Sequence, residues 1–317
     1  MNTIPSQPVD TVLAAIENRL HEQTHYDAPF LSDVVRSLVF AGGKRMRPRL
    51  MATLGVALDV PHAVLTACGA AVELVHAGTL LQDDVIDRSE LRRGQPTAWV
   101  RWGVGAGVLG GNLVYMRAFD DLLARGYARE ARWLIEALHA VVVGEMYQQE
   151  QSWRPQPDEA ALVHIARHKT GAFFGYICQV LTKYVGGDAE RARQWGVTLG
   201  YGFQLADDLL DFGGPIDKPT AKDLREGFQT LPIFRAAKNN PALRAAIARA
   251  YESRAEADYD AAYALIRQSD ARDATLAELA QVEAQLMGGL NGWTDGKGDR
   301  IEAAAREFIR ASLYREI

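Results

Sequence analysis

Apolar residues recur every three to four positions along most of this chain, the period of an α-helix and not the alternation of a strand. In residues 9–20, VDTVLAAIENRL, the side chains of Val9, Val12, Leu13, Ile16 and Leu20 share one face, with Asp10 near the start. Residues 60–90, VPHAVLTACGAAVELVHAGTLLQDDVIDRSE, open on Pro61 and stay rich in alanine and leucine throughout. Residues 186–214 start from a cap at Asp188 and stop at Gly213-Gly214-Pro215. The last third, as in ALRAAIARAYESRAEADYDAAYALIRQ, is alanine-rich helix again. There is no internal repeat and no Ser/Gly/Pro linker. The pattern predicts one all-α domain over residues 1–317, a helix bundle around a central cleft. Loops are expected at 40–48, 92–97, 152–159, 214–227 and 291–299, several of them carrying lysine or arginine.

Two places break the apolar pattern in the same way. LLQDDVIDRSELRRGQPTAW carries Asp83, Asp84 and Asp87, and on a helix Asp83 and Asp87, four apart, share a face. QLADDLLDFGG repeats the spacing with Asp207, Asp208 and Asp211, here among Leu205, Leu209, Leu210 and Phe212. One such run alone reads most simply as a solvated acidic face. Two copies on long apolar helices read better as facing carboxylates in a metal-lined cleft. Oxygen donors without His or Cys favour a hard ion, and Mg²⁺, which keeps waters and shares substrate phosphates, needs few protein ligands. Cations accompany the acids: Lys44, Arg45 and Arg47 in GGKRMRP, then Arg92 and Arg93, Lys169 beside Thr170 in RHKTG, and Lys218 and Lys222 in DKPTAK. Arginine forks match phosphate oxygens, while lysine serves as a point charge. The set predicts room for two polyanions, one held through metal and the other directly by basic side chains.

Composition narrows the partners. With 317 residues, 48% hydrophobic, the chain can bury a large core, and its formal net charge of −5 offers no footprint for nucleic acid. Two isolated cysteines, Cys68 and Cys178, point to a reducing compartment. The first twenty residues lack the basic start and apolar run of a signal peptide, and no stretch of about 20 residues is uninterruptedly apolar. The expectation is a cytoplasmic, non-spanning protein, which leaves open an apolar substrate taken from a membrane or a product handed to one.

In order along the chain, GGKRMRP, ELVHAGTLLQDDVIDRSELRRGQPT, GEMYQQ, HKTGAFF, GYGFQLADDLLDFGG and EGFQTLP resemble the trans-isoprenyl diphosphate synthases of the polyprenyl synthetase family. That resemblance implies a homodimeric, Mg²⁺-dependent enzyme. It would condense isopentenyl diphosphate head to tail with an allylic diphosphate, giving an all-trans polyprenyl diphosphate. Residue by residue, it implies that Asp83, Asp87 and Asp207 hold Mg²⁺, three ions with substrate bound. Asp84, Asp208 and Asp211 would act as further ligands or support. Arg92, Lys169, Lys218 and Gln204, with Thr170 alongside, would complete the allylic site. Lys44, Arg47, His76 and Arg93 would hold isopentenyl diphosphate. Three positions depart from the family pattern: Asn112 and Asp217, where Asp and Gly are common, and Phe228, where a lysine is usual. Lys222 is a candidate replacement for that lysine.

Other readings explain less. A terpene cyclase carries a different second motif and needs no second diphosphate site, and a non-catalytic subunit of a heteromeric synthase tends to lose its aspartates. The glycines of GVGAGVLGG follow no strand and read as helix packing, and His164 and His168 lack a third zinc ligand. Glu145 and Gln148 fit a cleft or a solvated turn about equally. Product length is read from the small Gly78 and Thr79, one turn before Asp83 where short-chain members carry an aromatic, and from Val75 below them. The expectation is an open floor and a product of thirty to fifty carbons, with geranylgeranyl or farnesyl diphosphate as alternatives. Tyr115, Met116 and Phe119 are the other candidate stops, and on the open-floor view Gly78→Tyr plugs the channel.

Overall fold

Helices form wherever the 3.6-residue period is kept. A computed structural model describes residues 8–210 and 222–314. Its first half holds α1 (Val9–Gln23), α2 (Pro29–Val39), α3 (Met46–Ala57), α4 (His62–Ile86), α5 (Ala98–Trp102), α6 (Val104–Ala124) and α7 (Ala128–Gln151). Then come α8 (Glu159–Ile165), a π-helical turn at Ala166–Thr170, α9 (Gly171–Val185) and α10 (Ala189–Leu210). Six shorter or peripheral helices complete the fold: α11 (Lys222–Arg225), α12 (Leu231–Lys238), α13 (Pro241–Ser253), α14 (Glu256–Arg267), α15 (Ala271–Gly288) and α16 (Gly298–Leu313). Among the described residues, the only strands are the two-residue partners Leu91–Arg92 and Gln95–Pro96, a small antiparallel hairpin inside the expected 92–97 loop.

Boundaries moved where local chemistry says they should. Asp188 caps α10, its Oδ1 accepting from the backbone N–H groups of Glu190 and Arg191. α3 begins inside the expected 40–48 loop, because Pro48 lies in a first turn, where a missing N–H costs nothing. α4 ends at Ile86, so Asp87 is its C-cap and not an interior residue.

One connected cluster of buried apolar residues draws on every helix from α1 to α16. At its centre α9 is buried nearly all round, as expected for a helix without a polar face. Glycines let α10 lie against it: a Cβ at Gly200 would sit 2.5 Å from the Gly171 Cα, and one at Gly196 would sit 2.4 Å from the Phe174 carbonyl oxygen. α4 is long and apolar enough, by length and composition, to cross a membrane, yet 83% of its apolar window is buried inside this bundle. The GVGAGVLGG glycines do serve packing, since a Cβ at Gly107 would meet Val85 at 2.6 Å and one at Gly110 would meet Val34 at 2.9 Å.

Candidate active site

Seven-residue spacing carries one stripe of α4 through Glu73, His76, Leu80, Asp83 and Asp87. The C-terminal end of that stripe and the end of α10 meet across a cavity of about 670 Å³. Asp83 and Asp87 line it from α4, Gln204, Asp207 and Asp208 from α10, and Lys169 and Thr170 from the π turn, with Arg88 and Arg92 beyond α4. The two aspartate runs therefore share one space. Asp211 and Lys218 lie outside the described residues, as does the side chain of Lys222.

Within each run the aspartates differ. Asp84 is buried and accepts from Arg92 Nε at 2.7 Å, which makes it an anchor for the hairpin arginine. Burial is the main force on Asp83 and pushes its carboxyl up to about 7; Lys169 pulls it down, while Glu145 and Asp87 push it further up. Such a carboxylate calls for added positive charge. Asp207 is exposed to the cavity, whereas Asp208 is buried and accepts from Gln204 Nε2 at 2.8 Å. Gln204 in turn accepts from the Thr170 hydroxyl at 2.6 Å, so Thr170 orients Gln204 and through it Asp208.

Lys169 is the central cation. Burial opposes its charge, yet Asp83 and Glu145 outweigh that and hold its ammonium above the ordinary range. It ion-pairs with Glu145 and donates to Gln148 Oε1 at 3.2 Å, which gives both residues of GEMYQQ a place in the cleft. The π turn that aims Lys169 inward has no sequence signal; wide turns of this kind often accompany functional sites. His164, just before the turn, and His168, within it, stack with ring centroids 3.7 Å apart.

A second group of cations gathers beside the cavity. Burial, then Arg47, Arg92, Arg93 and Arg45, keep the His76 imidazole well below its usual range, hence neutral at pH 7. Arg47 lies over the rings of Phe173 and Phe174, 5.6 and 5.7 Å from their centroids, and burial pushes its guanidinium down to about 10. The Arg93 guanidinium packs on Gly43, where a Cβ would be 2.8 Å away. Lys44 is exposed. Arg45 is structural, held by Glu17 at 2.6 Å, by buried Glu73 at 3.0 Å and by the Val39 carbonyl at 2.7 Å.

The expected open floor is not there. Gly78, Thr79 and Val75 are buried, and the cavity lining on α4 begins at Leu80. Gly78 is a helix-crossing residue: a Cβ on it would lie 2.4 Å from Tyr115 Cε1, and a Cβ on Gly111 would lie 2.9 Å from the Gly78 carbonyl oxygen. Tyr115 fills the space, its hydroxyl donating to Gln82 Oε1 at 3.0 Å. Phe228, Trp153 and Arg225 line the cavity as well; neither Trp153 nor Arg225 stood out in the sequence.

The donors suit an ion that completes its shell from a ligand. Among the described residues no three acidic, His or Cys side chains come close enough to hold one unaided. Oxygen-only donors beside phosphate-matching cations fit a hard divalent metal shared with a diphosphate and water.

Comparison with known proteins agrees with this chemistry. The profile described as polyprenyl synthetase matches residues 28–266. An octaprenyl diphosphate synthase of Haemophilus influenzae is 31% identical over 246 residues, which cover 76% of this chain and 75% of that protein. A nonaprenyl diphosphate synthase of Mycobacterium tuberculosis is 29% identical over 309 residues, covering 93% and 91%. Among solved structures, a polyprenyl synthase from Caulobacter crescentus CB15, complexed with calcium and isoprenyl diphosphate, matches with a TM-score of 0.86 at 30% identity. That match covers 99% of this chain and 100% of the other.

Proposed function

This chain belongs to the polyprenyl synthetase family and is a prenyltransferase; from that premise we propose that it condenses isopentenyl diphosphate with an allylic diphosphate. The condensation is head to tail and uses Mg²⁺, and the product is an all-trans polyprenyl diphosphate of thirty to fifty carbons, with twenty as the runner-up; with Tyr115 over Gly78, that length rests on likeness to the octaprenyl and nonaprenyl diphosphate synthases and not on an open floor. The observation that carries this reading is a single cavity into which Asp83, Asp87, Asp207 and Asp208 converge with Arg92 and Lys169.

Mg²⁺, when bound by Asp83, Asp87 and Asp207, supplies Lewis-acid neutralisation of the allylic diphosphate. Lys169 contributes positive charge as the bond from allylic carbon to oxygen breaks. Thr170 and Gln204 hold Asp208 in place, and Asp84 holds Arg92. Arg47, Arg93 and neutral His76 grip the second diphosphate, with Lys44 at its outer edge. The double bond of isopentenyl diphosphate forms the new carbon–carbon bond, and the proton it loses goes to the departing diphosphate. Leu80, Leu162, Ile165, Phe228 and Leu231 keep water from the allylic cation.

The working unit in this proposal is a homodimer. An exposed apolar face supports it: Val108, Leu109 and Met116 on α6, with Ile135, Val142 and Met146 on α7. The decisive experiment incubates purified protein with Mg²⁺, isopentenyl diphosphate and allylic primers of several lengths, then measures product length. The proposal expects prenyl products only with metal present. Absence of any condensation product would overturn the reaction, and a product stopping at fifteen carbons would overturn the assigned length.

A further inference from the structure

Trp153 holds a backbone conformation that bulky residues avoid. Its φ is 63°, in the left-handed region, at the elbow where α7 has ended and the chain turns towards α8. Arg254, just past the end of α13, is left-handed too, with φ 58°, and its guanidinium carbon lies 3.1 Å from the centre of the Trp153 ring. Strain of this kind persists only where neighbours over-determine it, and it gathers at sites that use it.

The neighbours here belong to the cavity wall. The Trp153 N–H donates to the Gly227 carbonyl oxygen at 2.6 Å. The indole packs on Gly227, where a Cβ would lie 2.2 Å from Cε2, and a φ of 87° at that position also favours glycine. Two residues on, the Gln229 amide donates through Nε2 to the carbonyl oxygens of Arg154 at 3.0 Å and Pro155 at 3.1 Å. Tyr251 meets the indole in a T-shaped contact, 5.4 Å between centroids. Residues 153–155 and 227–229 are thus fastened together, and Phe228, between Gly227 and Gln229, lines the cavity. The α7 helix that ends at this elbow also carries Glu145 and Gln148, the partners of Lys169. One helix end therefore steadies both the cation and the apolar wall.

We propose that Trp153 is a positioning residue for water exclusion, seating residues 227–229 on the end of α7 so that Phe228 closes its side of the cavity around the allylic cation. The inference rests on the prenyl-transfer reading above. With that wall loosened, the bond from allylic carbon to diphosphate oxygen still breaks, but the oxygen of a water molecule bonds to the carbon. The water's proton passes to the released diphosphate, and a prenyl alcohol leaves in place of the longer diphosphate.

The test uses full-length enzyme with Mg²⁺, an allylic primer and saturating isopentenyl diphosphate, and measures the ratio of prenyl alcohol to condensed product. Amide hydrogen exchange at residues 227–229, without substrate, reports the seating itself. Trp153→Ala is expected to raise the alcohol ratio roughly tenfold and to speed that exchange, whereas Trp153→Phe, which keeps a ring on Gly227, stays near wild type on both. Gln229→Met leaves the indole in place and cuts the second fastening, so it shifts both readouts in the same direction by less. It carries the test if Trp153→Ala does not fold. An unchanged alcohol ratio in Trp153→Ala and Gln229→Met, or a raised ratio with wild-type exchange at 227–229, would overturn the assignment. A wild type that yields neither alcohol nor condensed product sinks the reading of function, and this inference with it; a wild type that condenses while both variants keep its ratio sinks the role of Trp153 alone.

Discussion

Gly78→Ala is a small change with a computable cost. The added methyl would sit 2.4 Å from Tyr115 Cε1 and 2.7 Å from Val114 Cγ2, distances that real side chains do not tolerate. Neither neighbour yields easily. Tyr115 is tied to Gln82 through its hydroxyl and packs against the core, and Val114 is fully buried and stiff at its branched carbon. Overpacking of this kind costs about 1–3 kcal/mol, and the contact distances place it at the upper end. Alanine regains about 1 kcal/mol over glycine in a helix, which leaves a net loss of about 1–2 kcal/mol. An unfolding entropy of about 2.1 cal/mol/K per residue amounts to about 0.7 kcal/mol/K for this chain, so Tm falls by roughly 1–3 °C. In a Tyr115→Ala background most of the clash is gone, and the same substitution costs about 1 kcal/mol less. Calorimetry on the wild type, both single variants and the double variant measures that coupling. Product analysis of Tyr115→Ala adds the functional half, because vacating the ring below Asp83 lengthens the chain the enzyme releases. Additive melting temperatures would show that Tyr115 does not occupy the surface of Gly78. Unchanged product length would remove Tyr115 as the floor. Gly78→Tyr, which an open floor would accept, is expected to separate α4 from α6 and lose the fold.

Three further outcomes are expected. Asp83→Ala and Asp207→Ala each lower turnover roughly a hundredfold or more while helical circular dichroism persists, and EDTA abolishes an activity that Mg²⁺ restores; near-normal turnover in either variant would make its carboxylate a bystander. Arg47→Ala raises the KM for isopentenyl diphosphate above that for the primer, more than exposed Lys44→Ala does, whereas Lys169→Ala acts mainly on the primer and kcat; equal effects on both substrates would erase the partition. Glu130, far from the site, is fully buried and bonded by Lys183 at 2.6 Å and Tyr184 at 2.7 Å. Burial opposes its ionisation, but those two bonds outweigh it and hold its carboxyl below the usual range. Its contribution is therefore present above the unfolded pKa and lost as pH falls through the folded one. Glu130→Gln costs about 1–3 kcal/mol at pH 7, and urea titrations should show the gap closing below about pH 4; a gap independent of pH would refute the linkage.

What the amino-acid order decided by itself was local. The 3.6-residue period set the helices, and the repeated Asp spacing marked both acidic runs, because the residues that share a helical face are a matter of counting. Cation identity was equally plain: Arg92 is recognisable just after the first acidic run, and Lys169 in RHKTG. Tertiary structure decided everything that depended on a neighbour from elsewhere in the chain. GGKRMRP offers three cations within four residues, and only packing sends Arg45 to Glu17 and Glu73, Arg47 to Phe173 and Phe174, and Lys44 to solvent. The π turn that carries Lys169 packs against both α7 and α10, neighbours that five residues in a row do not encode. Gly78 is the sharpest case. A small residue reads the same whether it opens a channel or admits another helix, and Tyr115, 37 positions later, fills that space. Side-chain size is a local property, but empty space is defined by what stands opposite, and long-range packing alone supplies that.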